Sequence, residues 1–272
     1  MNSTEWLYKS RPGRVVLKVL ISRPVSVLGG KIMDSGLSSV FIRPFVKACG
    51  IDLRDYRTDG IHSFNDFFCR RIKEGRRSIN TDSAALIAPC DGLLSVYRIS
   101  DDLILNIKQS RFTVRRMLKD KRLAETYRNG YALVFRLCVH HYHRYVYFDS
   151  GYKYKNRRIP GFYHTVRPIA LEGFPVFAEN TREYAVIDSE GFGRCVQMEI
   201  GAMLVGRIVN EQLSPCRIVR GEEKGHFEYG GSTVILLIPE GKVNLRKDIE
   251  AVIGSSVEIA VRMGETVGTA TG

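Results

Sequence analysis

The chain has no CxxC pair, no GxGxxG, no P-loop and a single tryptophan. The first absence argues against a zinc ribbon or a thioredoxin-like redox pair. The next two remove the usual signatures of dinucleotide and nucleotide binding. The six cysteines (Cys49, Cys69, Cys90, Cys138, Cys195, Cys216) are scattered, and their spacing suggests neither a metal site nor a disulfide framework. They read as small buried hydrophobes in a reducing compartment. No apolar run approaches the ~20 residues needed to span a bilayer. No long uncharged stretch follows the N-terminal basic residues, so no signal peptide is expected. No repeat or low-complexity tract is visible.

What is present is an ordinary globular composition, 44% hydrophobic and 26% charged over 272 residues, with a net charge of +12. The length suits one large domain or one domain with an appendage. A charge of that size calls for an anionic partner: nucleic acid, an anionic membrane surface or an acidic substrate. Half of it sits in the first 50 residues, where eight Lys or Arg face only Glu5 and Asp34. Two segments there look helical. In Arg14 to Ser22 the apolar run Val15 to Ile21 is broken by Lys18, and Pro24 ends the segment. Lys31 to Cys49 carries apolar residues at roughly helical spacing and is kinked or split by Pro44. Basic amphipathic helices lie well on anionic lipid; the alternative is helices packed on the domain with solvated basic faces. The basic residues are not interleaved with an RNA-binding aromatic signature, which argues against nucleic acid.

Ser63 to Arg71, SFNDFFCRR, opens with a capping box of Ser63 and Asp66 and reads as a short helix docked by its phenylalanines. From Ala84 the pattern turns to β. Asp91-Gly92 is either a turn or a carboxylate held at a strand corner. A basic cluster from Lys108 to Arg128 is placed on a helix by Phe112, Met117 and Leu118. Tyr131 to Phe148 reads as one strand. Alternation would then put His141 and His143 on one face and His140 on the other. Such a His-x-His pair suits either metal binding or acid–base chemistry. Phe174 to Phe177 reads as a further strand, and Gly201 and Gly206 suit bulges or close strand approach.

The most informative stretch is Tyr229 to Pro239, YGGSTVILLIP. The run Val234 to Ile238 is β-branched and short, a buried strand, and Gly230-Gly231 is a turn feeding it. Taken alone, Gly-Gly-Ser is most often just a turn. A strained Gly231-Ser232 peptide beside a base is also suited to attack by the Ser232 hydroxyl on the Gly231 carbonyl, converting amide to ester.

Six segments in order, FNDFFCRR (64–71), APCDG (88–92), YHRY (142–145), PVFAENTREY (175–184), GAMLVGRI (201–208) and KGHFEYGGSTVILL (224–237), make the chain resemble the phosphatidylserine decarboxylase family from about residue 60 onward. The resemblance implies self-cleavage between Gly231 and Ser232. Chains 1–231 and 232–272 would stay associated, with Ser232 converted to a covalent pyruvoyl group. That carbonyl supplies the electron sink that amino-acid decarboxylation needs and no ordinary side chain offers; neither pyridoxal phosphate nor a metal is implied. Ser232 matches the nucleophile, Asp91 the aspartate of an Asp-His-Ser arrangement, and His143 the acid–base histidine of the Tyr-His-Arg motif. Much of the family has a second histidine three residues later, and here that position is Val146. The expectation is that His164, or otherwise His141, replaces this missing cleavage base.

The expected fold is α+β: a helical, membrane-facing segment over residues 1–60, then a mainly β, barrel- or sandwich-like catalytic domain over 61–272. The expected reaction gives phosphatidylethanolamine and carbon dioxide from phosphatidylserine, by a peripheral protein on the cytoplasmic face of the cell membrane. A homodimer is compatible with the sequence. Two alternatives stand beside this reading: decarboxylation of a related serine-headgroup lipid or small amino acid, and a His-x-His metal protein on a β-barrel.

Overall fold

The computed structural model describes residues 3–107, 110–165, 176–202, 207–230 and 232–272. Gly231, Gly206, Phe174 and Lys108, each invoked above, lie outside them.

The architecture follows from the run at Val234–Ile238. A strand with one wet face alternates apolar and polar residues, whereas a strand covered on both faces is apolar throughout. Ser232–Ile238 is buried at every position. Ile235 and Leu237 enter one core, with Tyr97, Val134, Met198, Met117 and Leu17. Val234, Leu236 and Ile238 enter the other, with Leu94, Phe135, Tyr145, Phe148 and Phe227. This strand is the inner member of a large antiparallel sheet. From one edge the order is Cys216–Ile218, Gly151–Lys153, Arg182–Ser189, Gly193–Gly201, Ser232–Ile238, Tyr131–Leu137, Gly92–Arg98 and Ile259–Val261, with Arg157–Ile159 also paired to Arg182–Ser189. Two three-stranded sheets pack around it: Ile208–Asn210, Glu223–Phe227 and Arg144–Val146 form one, and Ala85–Ile87, Thr266–Ala270 and Val243–Leu245 the other.

The α+β class holds, with antiparallel sheets preceded by helices. The barrel expectation does not: among the described residues the large sheet is open, its end strands Cys216–Ile218 and Ile259–Val261 each having one neighbour. Two other expectations are corrected. The strand drawn from Tyr131 to Phe148 stops at Leu137 and resumes only at Arg144–Val146. The segment ending at Phe177 is not a strand where it is described, since Val176–Glu179 is helical; a short apolar run does not by its period distinguish the two.

The N-terminal region is helical but divided differently from the sequence reading. Arg11–Leu20 is capped by Ser10, whose side chain accepts from the Gly13 amide. Pro24 begins the next helix, Arg23–Asp34, rather than ending the previous one. A 3-10 segment, Gly36–Phe41, leads into Ile42–Cys49, where Pro44 sits in the first turn. A proline there forfeits no helical hydrogen bond. These helices leave Val15, Val19, Leu28, Leu37, Val40 and Phe41 exposed, Leu37 at 84%. Among the described residues no single helix is long and apolar enough to cross a membrane; Pro24–Asp34 and Gly36–Cys49 pass that test only as a pair bent by 79°. Of the six cysteines, all unpaired, only Cys90 and Cys195 are buried and the others are partly accessible.

Candidate active site

Ser232 is the first residue of the inner strand, opposite Gly201 on one side and Leu137 on the other. It is fully buried. Gly230, two residues earlier, has φ 142°, a conformation that residues with side chains rarely adopt. The turn expected before the strand is therefore one that needs glycine.

His143 comes to Ser232 from the neighbouring three-stranded sheet. The Phe227 amide donates to its carbonyl at 2.9 Å, and it directly precedes Arg144–Val146. Its Nδ1 lies 3.2 Å from Ser232 Oγ, and its Nε2 lies 3.1 Å from the Cys138 carbonyl. A carbonyl only accepts, so Nε2 carries the proton and Nδ1 presents its lone pair to the serine hydroxyl. Phe68 stacks on the ring with centroids 4.0 Å apart. Burial, and after it the charge of Arg70, pushes the imidazole pKa well below 6.5. A neutral, correctly oriented base thus faces a desolvated hydroxyl, which is the arrangement that activates a serine nucleophile.

The other candidates are placed differently. Asp91 accepts from Arg77 at 2.8 and 3.3 Å and from the Met263 amide at 2.9 Å. Among the described residues it has no hydrogen bond to a histidine. The group that orients His143 is a backbone carbonyl, and Asp91 instead fastens the segment after Ile259–Val261 to the body of the domain. His141 Nδ1 accepts from the Cys138 amide at 3.1 Å. Burial, with His140 adding to it, lowers its pKa to about 4. His164 is buried, with Nδ1 3.4 Å from the Tyr8 hydroxyl and Nε2 3.9 Å from Glu179. Burial lowers its pKa to about 4 as well. Its backbone is held at both N–H and C=O by the Asn180 amide, which also donates to the Gly201 carbonyl at 2.8 Å. Asn180 thereby ties His164 to the strand position opposite Ser232.

The shared strand face on which the His-x-His metal reading rested is absent here. His141 and His143 do not share a strand face, because no strand runs through them, and both nitrogens of His143 are engaged. A separate trio of possible metal ligands, Glu211, Glu223 and His226, is compromised by cations, since Glu223 already pairs with Arg71 and Arg144.

An apolar cavity of about 380 Å³ lies between the N-terminal helices and this site, lined by Met33, Phe41, Pro44, Phe45, Ala48, Phe64 and Tyr229. Tyr229 packs edge-on against Phe68, the ring that stacks on His143. Cys138, Phe68 and Asn180 were not singled out from sequence. A carbonyl leaves no trace in residue identity, and the phenylalanines of FNDFF look the same whether they pack on a core or on a histidine.

A family model described as phosphatidylserine decarboxylase matches residues 64–269. The chain belongs to the phosphatidylserine decarboxylase family. Among its relatives, phosphatidylserine decarboxylase proenzyme 2 of Clostridium acetobutylicum is 40% identical over 265 residues, covering 97% of this chain and 90% of that protein. The phosphatidylserine decarboxylase proenzymes of Clostridium beijerinckii and Clostridium tetani are each 37% identical, again over 97% of this chain and 91% and 90% of theirs. The decarboxylase family match spans the Ser232–His143 pair, and the relatives extend the similarity into the N-terminal helices.

Proposed function

We propose that the chain is a precursor that cuts itself between Gly231 and Ser232 and then decarboxylates phosphatidylserine to phosphatidylethanolamine. The observation that carries this is the 3.2 Å contact between Ser232 Oγ and His143 Nδ1, with the opposite ring nitrogen committed to the Cys138 carbonyl. In the proposed cut, Nδ1 takes the hydroxyl proton as Oγ adds to the Gly231 carbonyl carbon. The peptide C–N bond breaks and its nitrogen gains a proton, leaving an ester. Loss of the Ser232 α-proton and departure of the 1–231 carboxylate give dehydroalanine, and water replaces its nitrogen, released as ammonia, to leave the pyruvoyl group. A dry site with a base at hydrogen-bond distance fits that conversion. Once formed, the pyruvoyl carbonyl supplies the sink for electrons left when carbon dioxide departs from an amine-bearing substrate. His143 then remains beside it, able to deliver a proton from Nδ1.

Chains 1–231 and 232–272 would remain together. The smaller one supplies the inner strand of the large sheet, and both Ile259–Val261 and Thr266–Ala270 pair with strands of the larger one. Intact mass under denaturing conditions tests the proposal: two fragments meeting between Gly231 and Ser232, the smaller blocked to Edman degradation, are expected. A single chain of 30.8 kDa would overturn it. His143 is the base this geometry supports, so His164→Ala is expected to cut normally; an uncut His164→Ala that still folds would transfer the role to His164.

The apolar cavity leading from the exposed helical face to Tyr229 favours a lipid over a small amino acid as substrate, and phosphatidylserine over neutral lipids given the basic N-terminal region. The same face suits peripheral attachment to an anionic membrane at the cytoplasmic side. The triple variant Leu28→Asp, Leu37→Asp, Val40→Asp is expected to weaken vesicle binding at least tenfold, since burying one such side chain contributes about 1.5–3 kcal/mol. Co-sedimentation with phosphatidylserine vesicles checks this, and unchanged binding would remove the helices from the membrane contact. Carbon dioxide release from vesicles but not from soluble amino acids would separate the two substrate classes.

A further inference from the structure

Arg70 is a second charge beside the site, and the self-cleavage scheme above makes no use of it. Its side chain is buried, at 2% exposure. A guanidinium so far from water is ordinarily matched by a carboxylate. Among the described residues Arg70 has no ion-pair partner. It lies instead over the rings of Tyr56 and Phe67, 4.4 and 4.8 Å from their centroids. Nη1 donates to the Phe67 carbonyl at 3.3 Å. Nη2 donates to the carbonyls of His140 and His141, both at 3.4 Å. Nε is buried without a hydrogen-bond partner.

Those two histidine carbonyls belong to the turn between Leu137 and Arg144. The turn is closed from within by the His141 amide donating to the Cys138 carbonyl at 2.9 Å and by the Cys138 amide donating to His141 Nδ1 at 3.1 Å. The same Cys138 carbonyl accepts from His143 Nε2. The orientation of the base is therefore set by a turn that Arg70 holds from outside.

We propose that Arg70 is a positioning residue for self-cleavage, clamping the 138–141 turn so that the Cys138 carbonyl holds the His143 Nε2–H and Nδ1 faces Ser232. The proposal rests on the reading of His143 as the cleavage base. Its charge adds a second effect. Among the described residues, the polar groups facing His143 are Ser232, the Cys138 carbonyl, Arg70, His140 and His141, and none of them is an anion. After burial, Arg70 is the largest influence holding the imidazole neutral. This accounts for an arginine where a neutral residue of similar length would spare a buried, unmatched charge.

The test uses ¹⁵N-histidine NMR on the uncleavable Ser232→Ala precursor, which reads the pKa and tautomer of His143. Alongside it, the time course of cleavage of newly translated chains with Ser232 intact is followed from pH 5 to 8.5. With Arg70→Met, the His143 pKa is expected to rise by about one unit, the size of shift a neighbouring charge exerts. The imidazole should lose its single Nε2–H tautomer, and cleavage should slow about tenfold with its acid limb moved upward by the same shift. Arg70→Lys keeps the charge but cannot bridge two carbonyls. It should leave the pKa low while mixing the tautomers and slowing cleavage several-fold. An unmoved pKa and tautomer in Arg70→Met, or wild-type cleavage in both variants, overturns the proposal. Should Arg70→Met not fold, Arg70→Lys decides, and an unchanged tautomer with wild-type cleavage is the negative result. Cleavage of His143→Gln at the wild-type rate would instead overturn the underlying base assignment, and is distinguishable because it does not depend on Arg70.

Discussion

Ser232→Ala is expected to accumulate as one uncut chain of 30.8 kDa, and His143→Gln to cut at least 100-fold more slowly than the natural sequence. The first follows from chemistry, because Ser232 directly follows the scissile carbonyl and only its hydroxyl sits on the one-carbon arm that lets oxygen reach that carbonyl. The second follows from geometry. The imidazole is fixed at both nitrogens, 3.2 Å from Ser232 Oγ and 3.1 Å from the Cys138 carbonyl. Glutamine can reproduce the hydrogen bond but not the basicity. The pH dependence has a definite sign. The lone pair on Nδ1 is available above the pKa of the folded protein, which burial holds well below 6.5. Cleavage should therefore be flat from near neutrality upward and fall only in acid. A pulse of synthesis followed by fragment quantification measures both variants and the profile. A His143→Gln chain that cuts at the normal rate would move the base to His164 or His141.

The elements legible in the sequence are those whose cause is local. The run after Ser232 is apolar at every position because both its faces are covered. The capping box at Ser63 and Asp66 forms as its spacing dictates, each side chain bonding the other's backbone. The glycine turn before Ser232 was visible for the same reason. What escaped depends on distant partners. Cys138 to His143 contains no Gly or Pro, so the alternating pattern runs through it without interruption, yet the chain turns there. That turn is stabilised by His141 bonding back to Cys138 and by Arg70, which lies just beyond the helix Phe64–Phe68, about 70 residues earlier. Asp91 could be picked out as a functional carboxylate, but its partners Arg77 and Met263 come from opposite ends of the domain. The histidine that meets Ser232 was identifiable by type, but its orienting group, a carbonyl, was not.

Lys224→Met should lower the melting temperature by roughly 10 °C at pH 8, and by less at pH 5. Lys224 and Glu199 form an ion pair 2.7 Å long with side chains 1% and 0% exposed. Lys224 Nζ also donates to Asn210 Oδ1 at 3.0 Å, while Asn210 Nδ2 donates to Glu183 at 2.8 Å. The Tyr145 hydroxyl reaches the same Asn210 oxygen at 3.2 Å. This network joins the large sheet, through Glu183 and Glu199, to the three-stranded sheet that carries Lys224, Asn210 and Tyr145. Removing one member of a buried pair costs about 3–5 kcal/mol, because the other charge stays behind unmatched. Each kcal/mol shifts melting by about 2–4 °C in a domain approaching this size. Burial raises the Glu199 pKa to about 6 even against the opposing pull of Lys224. A carboxyl with a raised folded pKa binds its proton more readily in the folded state than in the unfolded one. Its contribution to stability is therefore full in acid and declines as pH rises through the interval between the unfolded and folded values. Without Lys224 the folded value climbs further and the decline continues to higher pH, which is why the deficit of the variant grows from pH 5 to pH 8. The double variant Lys224→Met, Glu199→Gln removes the stranded charge and should recover most of the loss at pH 8. Equal deficits at the two pH values, or no recovery in the double variant, would show that the pair is not what fixes the sheets together. Because His143 adjoins one of these sheets and Ser232 belongs to the other, the Lys224→Met precursor should also cut itself more slowly at pH 8 than at pH 6, a trend opposite to that of a base regaining its lone pair.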